Sequence, residues 1–160
     1  MNTISLLVAY SKNRVIGAQG TIPWKLSSER NRFKAICQNK KILMGRKSFE
    51  EIGHALPYCT IIIISTSIKE APQGCLLASS LEEALKIAGD DKNQEILVAG
   101  GGQIYEQTLP LAKKIYATEI DIQIDGDVFF PKLGKDWKVV EQEEKKEGQT
   151  TYRYLTFVKD

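Results

Sequence analysis

The chain is predicted to fold as an α/β sandwich built on a mostly parallel sheet. Apolar runs of strand length alternate with amphipathic runs of helix length along the chain, two Ser-x-x-Glu capping boxes mark helix starts, and the tail alternates apolar and polar residues as a hairpin does. In such sheets ligands bind beyond the carboxyl ends of the strands, which is where chemistry is to be sought.

Taken in order, Ile4 to Tyr10 (ISLLVAY) reads as a buried strand. Val15 to Lys34 follows, and the rest of the chain is organised around it. Gly17 and Gly20 bracket a segment that can swing, Pro23 fixes the backbone before Trp24, and Ser27 and Ser28 are good N-caps for a helix to about Asn39. Glu29 falls in the first turn, where a negative charge suits the helix dipole. It shares a face with Phe33 and Ile36 at i, i+4, i+7 spacing, so a carboxylate stands on an otherwise apolar stripe. Ile42 to Gly45 is a second strand, and Ser48-Phe49-Glu50-Glu51 reads as a capping box opening a helix that stops at Gly53.

Thr60 to Ser65 (TIIIIS) suits a central strand covered on both faces. A loop with Pro72 and Gly74 leads to a short strand near Cys75 to Ala78. Ser80-Leu81-Glu82-Glu83 is the other capping box, for a helix with the stripe Leu81, Ala84, Leu85 and Ala88 that ends at Gly89. Ile96 to Ala99 is a buried strand running into Gly100-Gly101-Gly102, and a helix through Ile104, Tyr105 and Leu109 is closed by Pro110. Lys114 to Ile120 returns as a strand, Asp125-Gly126-Asp127 reads as a turn, and Trp137 to Glu144 pairs with Thr151 to Lys159 across Gly148.

Composition narrows the function classes. With 160 residues, 42% hydrophobic and 26% charged, residues 1–160 are expected to form a single domain with a sizeable core. A net charge of +2 argues for neither nucleic acid nor an anionic membrane surface. Cys37, Cys59 and Cys75 are odd in number and lack CxxC spacing, so free thiols in a reducing, cytoplasmic compartment are expected. His54 is the one histidine, which argues against a metal site. Ile4 to Tyr10 is too short to span a membrane and has no basic leader or cleavage site. A monomer acting on a small molecule is the expectation.

Two features lie at predicted strand ends. Gly45-Arg46-Lys47-Ser48 puts two cations at a helix start, where free backbone N–H groups receive anions; by itself it could equally be a basic surface turn. Gly100-Gly101-Gly102 lets backbone approach a ligand, although it does not fit G-x-G-x-x-G and alone is also a tight strand-to-helix turn. Together they point to a nucleotide with several phosphates, and the cations would suit one with an extra phosphate, such as NADP.

These motifs carry a resemblance. VIGAQGTIPW, Glu29 with Phe33-Lys34, ILMGRKSFE, Leu56-Pro57 before an isoleucine strand, VAGGGQIY, TEID and GDVFFP together resemble bacterial dihydrofolate reductase, in order and over essentially the whole chain. The resemblance implies a three-layer sandwich, an eight-stranded sheet flanked by about four helices, and NADPH-dependent reduction of 7,8-dihydrofolate to tetrahydrofolate. It implies that Glu29 anchors the pterin through its 2-amino group and N3, backed by Thr118, with Glu29, Trp24 and Thr118 as the catalytic set. Substrate contacts are implied for Leu7, Ala9, Ile22, Phe33, Ile52, Leu56, Ala99 and Tyr105. Trp24 and Ile22 belong to the loop that excludes water, and Asp127 to its docking place. For the cofactor, Ala9 and Ile16 fall at the nicotinamide amide, and Gly17 and Gly20 are also implied as cofactor contacts. Arg46, Lys47 and Ser48 take phosphates, Ser65 and Thr66 lie at the adenosine end, Gly100, Gly101, Gly102, Gln103 and Ile104 line the pyrophosphate, and Gly45 and Tyr105 are also implied as cofactor contacts.

Departures from the family matter equally. Cys59 stands where an arginine usually grips the folate carboxylate, and Arg30 or Lys34 is expected to take over that contact. Ala99 replaces a bulkier residue, which with Arg30 should alter inhibitor fit, and Gln103 replaces a common phosphate-binding arginine. No side chain in the matched set is an obvious donor to N5, so Glu29 is given an electrostatic and orienting role, with water delivering the proton. Two rival readings are a reductase of a tail-less dihydropterin or a riboflavin-pathway pyrimidine, and a non-catalytic NADP-binding module. The first should lack this loop, Trp24 and Glu29 pattern, and the second should have lost Glu29 or Trp24. The plain readings are a surface loop for His54, inert packing for the cysteines, a solvated hairpin for Glu141 to Glu147, and sheet packing for Tyr152, Tyr154 and Phe157.

Overall fold

Most elements follow the alternation just described, with β2 and β8 added where the sequence reads as loop and turn. In a computed structural model, which describes residues 3–17, 27–90 and 93–159, the order is β1 (Thr3–Ser11), β2 (Val15–Gly17), α1 (Ser27–Cys37), β3 (Lys41–Gly45), α2 (Arg46–Ile52), β4 (Thr60–Ile64) and β5 (Leu76–Ala78). It continues with α3 (Leu81–Ala88), β6 (Glu95–Val98), α4 (Gly102–Thr108), β7 (Lys114–Ile120), β8 (Val128–Phe129), β9 (Trp137–Glu147) and β10 (Thr150–Lys159). Eight strands form one sheet in the order β5-β4-β3-β6-β1-β7-β10-β9. All its neighbours are parallel except β10, which is antiparallel to both β7 and β9.

Side-chain alternation along β1 divides the core into layers. Leu6, Val8 and Tyr10 face α3 and α4, where they pack with Ala84, Ala88, Ile104 and Tyr105. Leu7 faces the opposite way, toward Phe33, Ile36 and Cys37 of α1 and Phe49 of α2. Leu6, Leu43, Ile62 and Leu97 are fully buried, each contributing roughly 1.5–3 kcal/mol of transfer free energy. The strands thus form a rigid floor, and their carboxyl ends are the edge on which a site can be built.

Local expectations fail where a distant partner intervenes. The helix assigned to a Ser48 cap begins three residues earlier, with Gly45 at the N-cap and no side-chain cap. Gly45 N–H donates to Gly100 O at 2.9 Å, so β3 passes into α2 without a loop, and Gly53 ends the helix at φ 86° as expected. At α3 the Ser80 cap does form, accepting from Glu83 N–H at 3.1 Å, but the Glu83 carboxylate accepts from Ser79 Oγ instead of reaching back to Ser80. Ser28 lies inside α1, and its N–H donates to Glu147 Oε1 of β9 at 3.1 Å. The helix stops at Cys37, before the left-handed Asn39 at φ 60°. Asp125 to Asp127 form no tight turn; the segment leads into β8, which pairs with β2 as a small second sheet.

Candidate active site

Sheet register assembles one row from three strands. Ala9 of β1 pairs with Thr118 of β7, and Thr118 pairs with Tyr154 of β10. The first turns of α1 lie over this row. Thr118 is buried, and its hydroxyl donates to Oε1 of Glu29 in a very short hydrogen bond. Oε2 has no hydrogen-bond partner among the described residues, and no fully buried side-chain oxygen there lacks one, so Oε2 faces accessible space. Burial pushes the Glu29 carboxyl above its ordinary value, opposed by the Thr118 hydrogen bond and by the nearby Arg32 charge. A half-buried carboxylate with one open oxygen is an acceptor for a ligand carrying N–H donors.

The surroundings are apolar. Leu7 is buried, and Phe33, Ile52, Leu56 and Ala99 pack partly buried against the same cluster. Tyr105 comes from the other layer, donating its hydroxyl to Leu7 O at 2.7 Å; burial pushes its pKa well up, so it stays neutral. Ala9 remains partly exposed at the β1 end of the row. Farther along α1, Lys34 and Arg30 are both exposed, and Lys34 Nζ lies 5.7 Å from the centre of the Tyr58 ring, next in sequence to Cys59.

A second group of expected residues meets where β3 and β6 end side by side. The Gly100–Gly101 peptide is cis, and Gly101 is the N-cap of α4. A Cβ on Gly100, at φ 112°, would lie 2.8 Å from Ser48 Oγ, and one on Gly102 would lie 2.8 Å from Val128 Cγ1, so internal packing explains these two glycines. It does not explain Gly45 or Gly101. Their Cβ positions meet nothing closer than 3.7 and 3.6 Å, yet the backbone there is left bare. Arg46 and Lys47 are exposed beside it, and Arg46 reaches Glu50 at 3.3 Å. Ser65 and Thr66 follow the end of β4 on the same edge, and Gln103 is exposed. Ile104 packs its side chain into the core, and Ile16 of β2 packs against the same cluster. Bare backbone flanked by cations suits a phosphate-bearing group.

Gly20, Ile22 and Trp24 lie outside the described residues, and Gly17 ends β2. His54 is exposed, contacting Ala55 O at 2.9 Å through Nδ1. The three cysteines are free, and burial raises the Cys37 thiol to about 12. Among the described residues no cluster of His, Cys, Asp and Glu could hold a metal, and no helix is long and apolar enough to cross a membrane.

Sequence reasoning underrated Arg32 and Tyr154. Arg32 Nη1 donates to Ala117 O and to Thr118 Oγ1, both at 2.8 Å, and its guanidinium carbon lies 4.1 Å from the centre of the Tyr154 ring. The available signal was spacing, since Arg32 is three residues from Glu29 and so neighbours it on the helix surface. Nothing local marked Tyr154.

A family profile described as dihydrofolate reductase matches residues 3–159. Among curated proteins, the chain is 38% identical to the dihydrofolate reductase of Haemophilus influenzae over 153 residues, 95% of this chain and 93% of that one. It is 36% identical to that of Bacillus subtilis over 153 residues (94% and 90%), and 43% to that of Buchnera aphidicola over 141 (86% and 85%). Among solved structures, dihydrofolate reductase from Enterococcus faecalis complexed with NADP(H) and RAB-propyl superposes with a TM-score of 0.89 at 26% identity, covering 99% of this chain and 96% of that one.

Proposed function

We propose the function from the premise that the chain belongs to the dihydrofolate reductase family. It is an NADPH-dependent oxidoreductase that reduces 7,8-dihydrofolate to tetrahydrofolate, within tetrahydrofolate biosynthesis and one-carbon metabolism. The observation that carries the reading to particular residues is the half-buried Glu29 carboxylate, backed by Thr118 and open at Oε2.

Bound NADPH supplies the hydride delivered to C6 of the pterin. Glu29 anchors the pterin: Oε2 and the remaining lone pair of Oε1 accept from the 2-amino group and N3. Leu7, Ala9, Phe33, Ile52, Leu56, Ala99 and Tyr105 wall the ring and benzoyl group and thin the water around them, which strengthens the field of the carboxylate. That field stabilises positive charge at N5, where water delivers the proton; Glu29 orients and polarises without itself passing the proton. Ile22 and Trp24 are assigned to the covering loop, and Asp127 to its docking place. Gly45 to Ser48 and Gly100 to Ile104 would hold the cofactor phosphates, with Arg46 and Lys47 giving the preference for NADPH over NADH; Ser65 and Thr66 take the adenosine end, and Ile16 and Gly17 the nicotinamide side.

For the folate carboxylate, Lys34 is favoured over Arg30, because its ammonium lies against Tyr58 on the segment where Cys59 replaces the usual arginine. We assign the chain to the cytoplasm on its free thiols, and read residues 1–160 as one monomeric domain with a small-molecule substrate and neither nucleic acid nor membrane as partner.

The test is NADPH oxidation followed by absorbance with dihydrofolate, then with a tail-less dihydropterin, for the parent and Arg46→Ala. Dihydrofolate should be the better substrate, and Arg46→Ala should largely remove the preference for NADPH. Equal use of NADPH and NADH by the parent would refute the cofactor assignment, and turnover of the dihydropterin alone would refute the substrate.

A further inference from the structure

Arg32 has no part in the reading above, yet three strands hold it. Its Nη1 donates to Ala117 O and Thr118 Oγ1 of β7, its guanidinium stacks on Tyr154 of β10, and Glu143 of β9 adds a favourable charge. An arginine can only donate, and a threonine hydroxyl has one proton. Where Arg32 donates to Thr118, that hydroxyl must accept through a lone pair, and its single proton is left for Glu29 Oε1, the bond observed. The direction of the chain Arg32 to Thr118 to Glu29 is therefore determined by donor chemistry. A proton on Glu29 is excluded from Oε1, where it would face the hydroxyl proton.

We propose that Arg32 is a positioning residue for the reduction, fixing the Thr118 hydroxyl as a donor to Glu29 so that the carboxylate meets the pterin as a preset acceptor. This rests on Glu29 being the pterin anchor. Arg32 acts through Thr118 and by its charge, without touching the substrate. The groups facing Glu29 are Arg32 on α1, Thr118 on β7, Tyr105 on α4 and Tyr154 on β10; Arg32 also faces Glu143, itself 2.7 Å from Lys145, and Tyr116 of β7. Burial raises all three tyrosines, so they stay neutral at neutral pH and a change in profile reports the carboxylate.

The test is the pH dependence of kcat/KM for dihydrofolate at saturating NADPH, which reports ionisations of the free enzyme. Arg32→Met keeps an unbranched apolar stem and removes every donor and the charge. Its midpoint should move to higher pH by about one unit, which is about a tenfold change at a pH between the two midpoints. Arg32→Lys, which restores a donating group and the charge, should return the midpoint to within a few tenths of a unit of the parent. A loss of activity uniform across pH marks a merely structural role and overturns the proposal, as does an unchanged Arg32→Met profile or failure of Arg32→Lys to restore it in a folded protein. Should Arg32→Met not fold, Arg32→Leu, which likewise has neither donor nor charge, stands in with the same expectations. Glu29→Gln measured alongside separates the two failures. If it keeps the parent's kcat/KM, the anchor assignment falls; if it loses activity while Arg32→Met keeps the parent profile, only the positioning role falls.

Discussion

Replacing Glu29 with glutamine should move activity and stability in opposite directions. The carboxylate oxygen bonded to Thr118 becomes an amide oxygen that still accepts that hydrogen bond, and the new NH2 falls at Oε2, on the accessible side, so no buried group is orphaned. Burial holds the carboxyl above its ordinary 4.5, outweighing Thr118 and Arg32. An acid whose folded pKa is raised penalises the folded state once it ionises. The penalty is absent below the unfolded value, grows as pH rises through the folded value, and is complete above it. Glu29→Gln removes that penalty, and single stabilising substitutions commonly gain about 0.5–2 kcal/mol. For a chain of this size that is a rise in Tm of about 1–8 °C near neutral pH. Losing a charge-assisted contact to the pterin should meanwhile lower kcat/KM by about 1.5–3 kcal/mol, or about 10- to 160-fold. Thermal unfolding by circular dichroism at neutral and mildly acidic pH, with kcat/KM at neutral pH, tests both. Glu29→Gln should be the more stable protein at neutral pH, with the gap closing as pH falls. A less stable variant, or a gap independent of pH, refutes the electrostatic reasoning; full activity refutes the anchor.

Glu95 accepts from Lys40 Nζ at 2.5 Å, Ser5 Oγ at 2.6 Å and Tyr116 OH at 2.9 Å; burial alone would raise it, but these bonds win and hold it below the ordinary value. The stability it adds is therefore present above the unfolded value and lost as pH falls through the folded one, so Glu95→Gln should cost about 1–3 kcal/mol at neutral pH and progressively less in acid, read by denaturant titration. Gly100→Ala should destabilise by roughly 1–3 kcal/mol, because its φ is 112° and Ser48 Oγ is too close; Gly101→Ala should fold within about 0.5 kcal/mol of the parent yet raise KM for NADPH about tenfold, read by unfolding and steady-state kinetics. Lys34→Ala should raise KM for dihydrofolate about tenfold with little change in kcat, a loss of the size expected for one charged contact, while Arg30→Leu changes neither; the reverse pattern would assign the carboxylate to Arg30.

What the chain determined by itself is everything set within a few residues. The alternation of apolar and amphipathic runs is enough for the α/β class and for most element positions, the Ser80 cap and Gly53 stop are local chemistry, and spacing alone put Glu29 on the apolar stripe of α1. Ser48 failed as a cap because β3 is tied to Gly100, 55 residues on by numbering, a contact no local window contains. What tertiary structure decided is how these pieces address one another. Thr118 lies 89 residues from Glu29, and Tyr154 reaches the same row because β10 runs antiparallel beside β7. The Ser28 N–H is satisfied from β9, 119 residues away. Strand order and register carry these partnerships. They turn a conspicuous carboxylate into one with a fixed donor, an open oxygen and an arginine behind it, because hydrogen-bond direction depends on which groups meet in space and not on their order along the chain.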